Sequence, residues 1–203
     1  MRPPSVNRMK LLLTSEGITN NSIANALSDL LGKPFKESRV VYIPTAGHGE
    51  SGDKGWIEED MNTLRKLEFL SFDVVDIATA SKDIWQPLFE KADVIAFGGG
   101  SVEYLLEWLE KSGVKDVLPE LLKTRVYVGF SAGSMVTAGL GFVDFEIHPH
   151  LNSPRYPNVR LEVLEKIADE NPTPFYALDD SSAVKVDGDT ISVVSEGQWK
   201  KFN

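Results

Sequence analysis

Short apolar runs alternate with longer segments in which apolar residues recur every three or four positions, and this alternation organises the first two thirds of the chain. Lys10-Leu-Leu-Leu-Thr14, residues 39–44, residues 72–77, Asp93-Val-Ile-Ala-Phe97 and Val126-Tyr-Val-Gly-Phe130 read as strands. They are apolar without polar alternation, as strands covered on both faces are. Between them, residues 19–32 read as a helix, polar at its start and closed by glycine. Residues 56–70 carry Ile57, Met61, Leu64 and Leu67 at helical spacing, residues 84–91 and 117–122 form shorter helices, and residues 101–111 turn Leu105, Leu106 and Leu109 inward. Residues 47–55, rich in glycine, are a loop. Alternating strands and helices predict βαβ units and a mostly parallel sheet with helices on both faces.

The last quarter breaks the rhythm. Residues 143–148 look extended, 159–170 helical and 175–178 extended again. Residues 183–186 and 190–194 flank Asp187-Gly-Asp189, a hairpin signature. With no internal repeat or linker in view, residues 9–203 are expected to form one α/β domain ending in a hairpin. Residues 1–8 are expected to be a disordered extension, and Met9 is an equally good start.

Composition narrows the function. Thirty Asp plus Glu against 21 Lys plus Arg give a net charge of −9, which argues against a nucleic-acid partner. No apolar run approaches the roughly 20 residues of a membrane helix, and residues 1–8 carry no signal-peptide core, so a cytoplasmic protein is expected. Cysteine is absent, which removes disulfides, thiolate nucleophiles and cysteine-bound zinc. Covalent catalysis would need an oxygen or nitrogen nucleophile.

The oxygen candidate is Ser131. A strand runs straight into Gly129-Phe-Ser-Ala-Gly133 and a small-residue helix follows, the context in which a serine hydroxyl stands exposed on a strained turn. Gly98-Gly99-Gly100, at the end of the preceding strand, brings bare amides to the same edge of the sheet. The amides of Gly99 or Gly100 and of Ala132 would form an oxyanion hole. No G-x-G-x-x-G or P-loop lysine accompanies the glycines, so a nucleotide is not implied. Histidine is the usual base for a serine, and the chain has three, His48, His148 and His150. His48 lies in the glycine-rich loop and reads as a solvent-exposed residue. His148-Pro-His150 ends an extended segment, so both side chains are expected on one side. An H-x-H metal site is the rival, but it lacks an evident third ligand. For the group that orients the imidazole, Asp180 is preferred over Asp179 and over Asp144, which lies in the strand leading to the histidines.

The blocks Ile43-Pro-Thr-Ala46, Phe97-Gly-Gly-Gly-Ser101, Gly129-Phe-Ser-Ala-Gly-Ser134 and Pro149-His150 resemble the peptidase E family, peptidase family S51, which contains α-aspartyl dipeptidases and, more distantly, cyanophycinase. Leu13-Thr-Ser-Glu-Gly17 is compatible with it. The resemblance extends from about Met9 to the final hairpin. It implies a flavodoxin-like fold of the class I glutamine amidotransferase kind, no cofactor and no metal. It further implies a serine peptidase acting on very short peptides. Any assembly is expected to be a homodimer. Ser131 falls on the family nucleophile, His150 on its base, and Asp180 on or next to its acid. Arg160 is the nearer match for an arginine that binds the substrate carboxylate, with Arg155 second. Two departures stand out. The crossing from Val136 to Val143 is short where relatives commonly carry a long loop, and Leu-Asp-Asp-Ser-Ser stands where aspartyl dipeptidases have Pro-Glu-Gly. The third catalytic member is thus Asp180, Asp179 or Ser182, and strict aspartyl specificity is not expected. Two other readings stay open: a non-catalytic domain holding a small anion at the glycines, and a cyanophycinase-like or esterase-like hydrolase.

Overall fold

The structure, a computed structural model, describes residues 9–203; the extension expected at residues 1–8 lies outside the described residues. The chain begins with β1 (Lys10–Thr14), α1 (Asn21–Leu31), β2 (Arg39–Ile43), a single turn α2 (Thr45–His48) and α3 (Gly55–Arg65). It continues through β3 (Ser71–Val74), α4 (Lys82–Lys91), β4 (Val94–Phe97), α5 (Val102–Lys111), α6 (Val114–Leu121), β5 (Val126–Phe130) and α7 (Ala132–Gly139). The last part comprises β6 (Glu146–His148), α8 (Leu161–Glu170), β7 (Phe175–Leu178), β8 (Ser182–Asp187), β9 (Thr190–Ser195) and β10 (Trp199–Phe202).

Seven strands form one sheet in the order β3-β2-β4-β5-β1-β8-β9, parallel from β3 to β1 and antiparallel through β8 and β9. Helices cover both faces, which is why the strands are apolar throughout. In β1, Leu11 and Leu13 enter one core cluster and Leu12 the other; in β2, Val41 and Ile43 oppose Val40 and Tyr42 in the same way. Burial of large side chains is the main stabilising term, at roughly 1.5–3 kcal/mol for each fully buried Leu, Ile or Phe. Helix α1 shows how local sequence sets element ends: the Asn20 side chain accepts from the amide of Ile23 at 2.9 Å, and Gly32 closes the helix at φ 67°.

Three expectations shift. The loop expected at 47–55 is shortened by the turn α2 and by the start of α3 at Gly55. α3 ends at Arg65 rather than near residue 70, because the Leu70 amide is taken by the carbonyl of Ser38 at 2.8 Å. The strand expected at 72–77 stops at Val74, and Asp76 turns to accept from the Thr45 hydroxyl at 2.6 Å. The hairpin β8–β9 forms around Gly188, but the chain then adds β10. That strand pairs antiparallel with β7, which pairs parallel with β6, making a second, three-stranded sheet that the sequence pattern did not announce.

Candidate active site

Ligands of open parallel sheets sit beyond the carboxyl ends of the strands. The pairings Thr14↔Phe130 and Phe97↔Gly129 bring together the loop after β1, the glycines after β4 and the turn after β5. Because β8 runs antiparallel to β1 with Ala183 opposite Thr14, the residues just before β8 reach the same edge. The small sheet supplies the rest. His148 lies opposite Ala177 in the parallel pair β6–β7, so His150 and Asp180, each two residues past its strand end, arrive side by side.

Ser131 has φ 48° and ψ −106°, a conformation a non-glycine residue avoids at a cost of about 1–3 kcal/mol. The surroundings impose it. Its amide donates to the Thr14 carbonyl at 3.2 Å, and its carbonyl accepts from the amides of Ser134 and Met135 at 2.8 and 3.0 Å. Neither glycine of the turn has room for a Cβ. On Gly129 it would meet the Gly133 carbonyl carbon at 2.6 Å, and on Gly133 the Phe97 carbonyl oxygen at 2.2 Å.

His150 Nε2 lies 3.0 Å from Ser131 Oγ, and its Nδ1 lies 2.6 Å from Asp180 Oδ1. The imidazole stacks on Tyr156, with ring centroids 4.5 Å apart and planes 17° apart. Burial alone would raise the Asp180 carboxyl, but the hydrogen bond and charge of His150, helped by the Ser15 hydroxyl, hold it below the usual carboxylate range. An ionised carboxylate at Nδ1 favours the tautomer that offers the Nε2 lone pair to the serine. His150 has φ 63°, so regular strand geometry ends before it, yet His148 and His150 both line the cleft, as expected of their side chains. Only His150 reaches Ser131; His148 packs on Phe175 at 4.5 Å, with Nε2 3.4 Å from Glu146.

The other candidates for the acidic position face elsewhere. Ser182 donates to Asp179 Oδ1 at 2.6 Å, and Asp179 also accepts from the amides of Ser181 and Gln198 in the turn toward β10. Asp144 is exposed before β6. His48 is half-exposed and holds Asp76 at 2.8 Å. Gly99, Gly100, Ser131, His150 and Arg155 line one cleft of about 570 Å³. Ala132, fully buried, opens α7, where first-turn amides have no acceptor within the helix. Arg155 pairs with Glu16 at 2.9 Å, whereas Arg160 is an exposed residue at the start of α8 and does not line the cleft.

Sequence reasoning missed two residues here. Ser15 donates to Asp180 Oδ1 at 2.9 Å and accepts from the His150 amide at 2.8 Å, tying imidazole and carboxylate to the end of β1. Asp60, from α3, is 7% exposed, and its Oδ2 accepts from the Tyr42 hydroxyl at 3.1 Å and the Gly99 amide at 3.5 Å. Burial pushes its carboxyl up to about 7, against the lowering effect of those two hydrogen bonds. The sign of the consequence follows. From the ordinary 3.8 up to about 7 the folded state keeps a proton that the unfolded chain has lost, so stability falls as pH rises through that window. Asp60→Asn removes the buried charge and is expected to stabilise the fold at pH 8 relative to wild type, by on the order of 2–4 kcal/mol, and to give no gain at pH 4. Urea denaturation of both proteins at the two pH values checks it.

Comparison with known proteins decides the family. The model described as "Peptidase family S51" matches residues 11–138 and 137–194, a span that contains Ser131, His150 and Asp180. The chain belongs to peptidase family S51. Peptidase E of Haemophilus influenzae (strain PittGG) is 25% identical over 198 residues, covering 86% of this chain and 80% of that one. Peptidase E of Streptomyces coelicolor is 25% identical over 222 residues, covering 96% and 87%. A crystal structure from Listeria monocytogenes EGD-e, described as that of a proposed peptidase E protein, shares the fold with a TM-score of 0.78 at 23% identity, over 93% of this chain and 99% of that one. Membership of S51 supports a peptide-hydrolysing activity and a peptide substrate. Among the described residues no helix is long and apolar enough to cross a membrane, and no group of three or more His, Asp or Glu is arranged to hold a metal ion.

Proposed function

We propose that this S51 member is a serine exopeptidase acting on dipeptides and other very short peptides. The observation that carries the reading is the series Ser131 Oγ, His150 Nε2, His150 Nδ1 and Asp180 Oδ1, at 3.0 and 2.6 Å, with Ser131 on a strained turn that lines a cleft. Ser131 Oγ attacks the peptide carbonyl carbon as His150 Nε2 takes its proton, and Asp180 stabilises the imidazolium that results. The tetrahedral oxyanion is held by the amide of Gly99 or Gly100 and that of Ala132. Collapse expels the leaving amine, which takes the proton from His150, and a water activated by the same imidazole releases the acyl group. A domain that only held an anion at the glycines would have no use for an imidazole set between a hydroxyl and a carboxylate. A panel of dipeptides tests the reading: the intact protein should release free amino acids, and a preparation that hydrolyses none of them would overturn it.

The cleft does not favour an acidic side chain. Glu16, Glu50, Asp60 and Glu103 line it, and its lining cation, Arg155, is already paired with Glu16. Desolvating an aspartate there would lack cationic compensation. Asp-Leu is therefore expected to be no better a substrate than Ala-Leu by kcat/KM. A preference for aspartate above about a hundredfold, equivalent to about 2.7 kcal/mol, would mean that Arg155 leaves Glu16 to bind substrate.

A further inference from the structure

We infer that Asp60 holds the free α-ammonium group of the substrate's first residue, so that the cleft reads the amino end of a peptide. The inference rests on the serine-peptidase reading of the same cleft. One glycine separates the acid from the nucleophile: a Cβ built on Gly99 would lie 3.5 Å from Ser131 Cβ and 3.8 Å from Asp60 Oδ2. Asp60 Oδ2 is also 3.5 Å from the Gly99 amide, one of the proposed oxyanion donors. In any residue under attack, the amine nitrogen lies about 2.5 Å from its own carbonyl carbon, by the fixed N–Cα–C geometry. A carbonyl seated between Ser131 and the glycine amides therefore places the amine of that residue within reach of Asp60.

The bonding of Asp60 leaves room for such a ligand. Both donors that reach it, the Tyr42 hydroxyl from β2 and the Gly99 amide, go to Oδ2. Among the described residues Oδ1 receives no hydrogen bond, and no lysine or arginine pairs with the carboxylate. An ionised carboxylate offers about four acceptor positions, and burying one without a cation is costly. The titratable groups facing it are Glu16, from the loop after β1, and His150, from the loop after β6. Burial and the charge of Asp180 raise the Glu16 carboxyl above its ordinary value, against the opposing pull of Arg155, with which it pairs. The region around Asp60 is thus short of positive charge, and an α-ammonium group supplies it in the form of a charge-assisted hydrogen bond. Its arrival draws the Asp60 carboxyl toward the ionised form. The binding term is therefore gained only by a substrate with a free amino end.

The test compares Ala-Leu with N-acetyl-Ala-Leu in the intact protein, Asp60→Asn and Asp60→Glu. Wild type is expected to favour the free amine by about a hundredfold or more in kcat/KM, and Asp60→Asn to cut that ratio below about tenfold by losing rate on Ala-Leu alone. Asp60→Glu should recover part of the ratio. A residue that merely braced the fold would lower both substrates together, and an acid that donated to the oxyanion would do the same. Either result, or equal hydrolysis of both peptides by wild type, overturns the inference. A second measurement needs no variant: labelling of wild-type Ser131 by a fluorophosphonate should be slowed by alaninamide and not by N-acetylalaninamide. Labelling without that difference defeats this inference alone, whereas no labelling at all defeats the serine-peptidase reading and this one with it.

Discussion

Ser131→Ala is expected to lower kcat/KM on Ala-Leu by about 10⁴–10⁶-fold while leaving the fold intact. The size follows from removing the proposed nucleophile; what would remain is the binding and oxyanion stabilisation of an unassisted water reaction. The intact fold follows from where the strain resides. The φ of 48° is imposed by backbone bonds to Thr14, Ser134 and Met135, all of which an alanine preserves, and the hydroxyl's own bond is the 3.0 Å contact with His150. Ser134 is the natural control. It is fully buried, and its Oγ donates to the Thr14 carbonyl at 2.7 Å, so Ser134→Ala should cost about 1 kcal/mol of stability and keep most of the activity. Initial rates and thermal midpoints on the two variants decide the matter: an inactive Ser134→Ala beside an active Ser131→Ala would place the nucleophile wrongly.

His150→Ala is expected to be as inactive as Ser131→Ala, and the double variant no worse than either, because a hydroxyl without its base and a base without its hydroxyl fail for the same reason. Asp180→Asn should retain more, losing about 10²–10⁴-fold, since an amide at Nδ1 can stabilise the wrong tautomer while Ser15 still anchors the loop. His148→Ala should stay within about tenfold of wild type, because its ring packs on Phe175 and reaches Glu146 rather than Ser131. Additive losses in the Ser131/His150 double variant would mean that the two side chains do not act as a pair.

The parts of this arrangement visible in the sequence are those with a backbone signature. A strand running into Gly-x-Ser-x-Gly, and a strand ending in three glycines, announce their geometry through residue type, and the parallel sheet follows from apolar runs without polar alternation. The small sheet gave no such signal. β6 has three residues, and β10 reads Trp-Lys-Lys-Phe, in which Phe202 alone is buried, so neither looks like a core strand. His150 and Asp180 depend on that sheet, which is why the sequence favours Asp180 but keeps Asp179 and Ser182 as alternatives: Asp179 and Asp180 sit in one turn, and turn geometry, not alternation, decides which faces the histidine. Ser15 is an ordinary serine at a strand end until the pairing of β1 with β5 and β8 puts it between the two. Asp60 looks like one more acid in Ile-Glu-Glu-Asp-Met. Its one hint is its position four residues after Trp56 and four before Leu64, on the face of α3 turned inward.

The claim on which the rest depends is that Ser131 is a nucleophile activated by His150. The most direct measurement is the intact mass of the protein after treatment with a fluorophosphonate, followed by mapping of the modified peptide. The account predicts one adduct, on Ser131, accompanied by loss of dipeptide hydrolysis, absent from Ser131→Ala and strongly slowed in His150→Ala. Hydrolysis that survives full modification of Ser131, or inactivation by an adduct on any other residue, would contradict it.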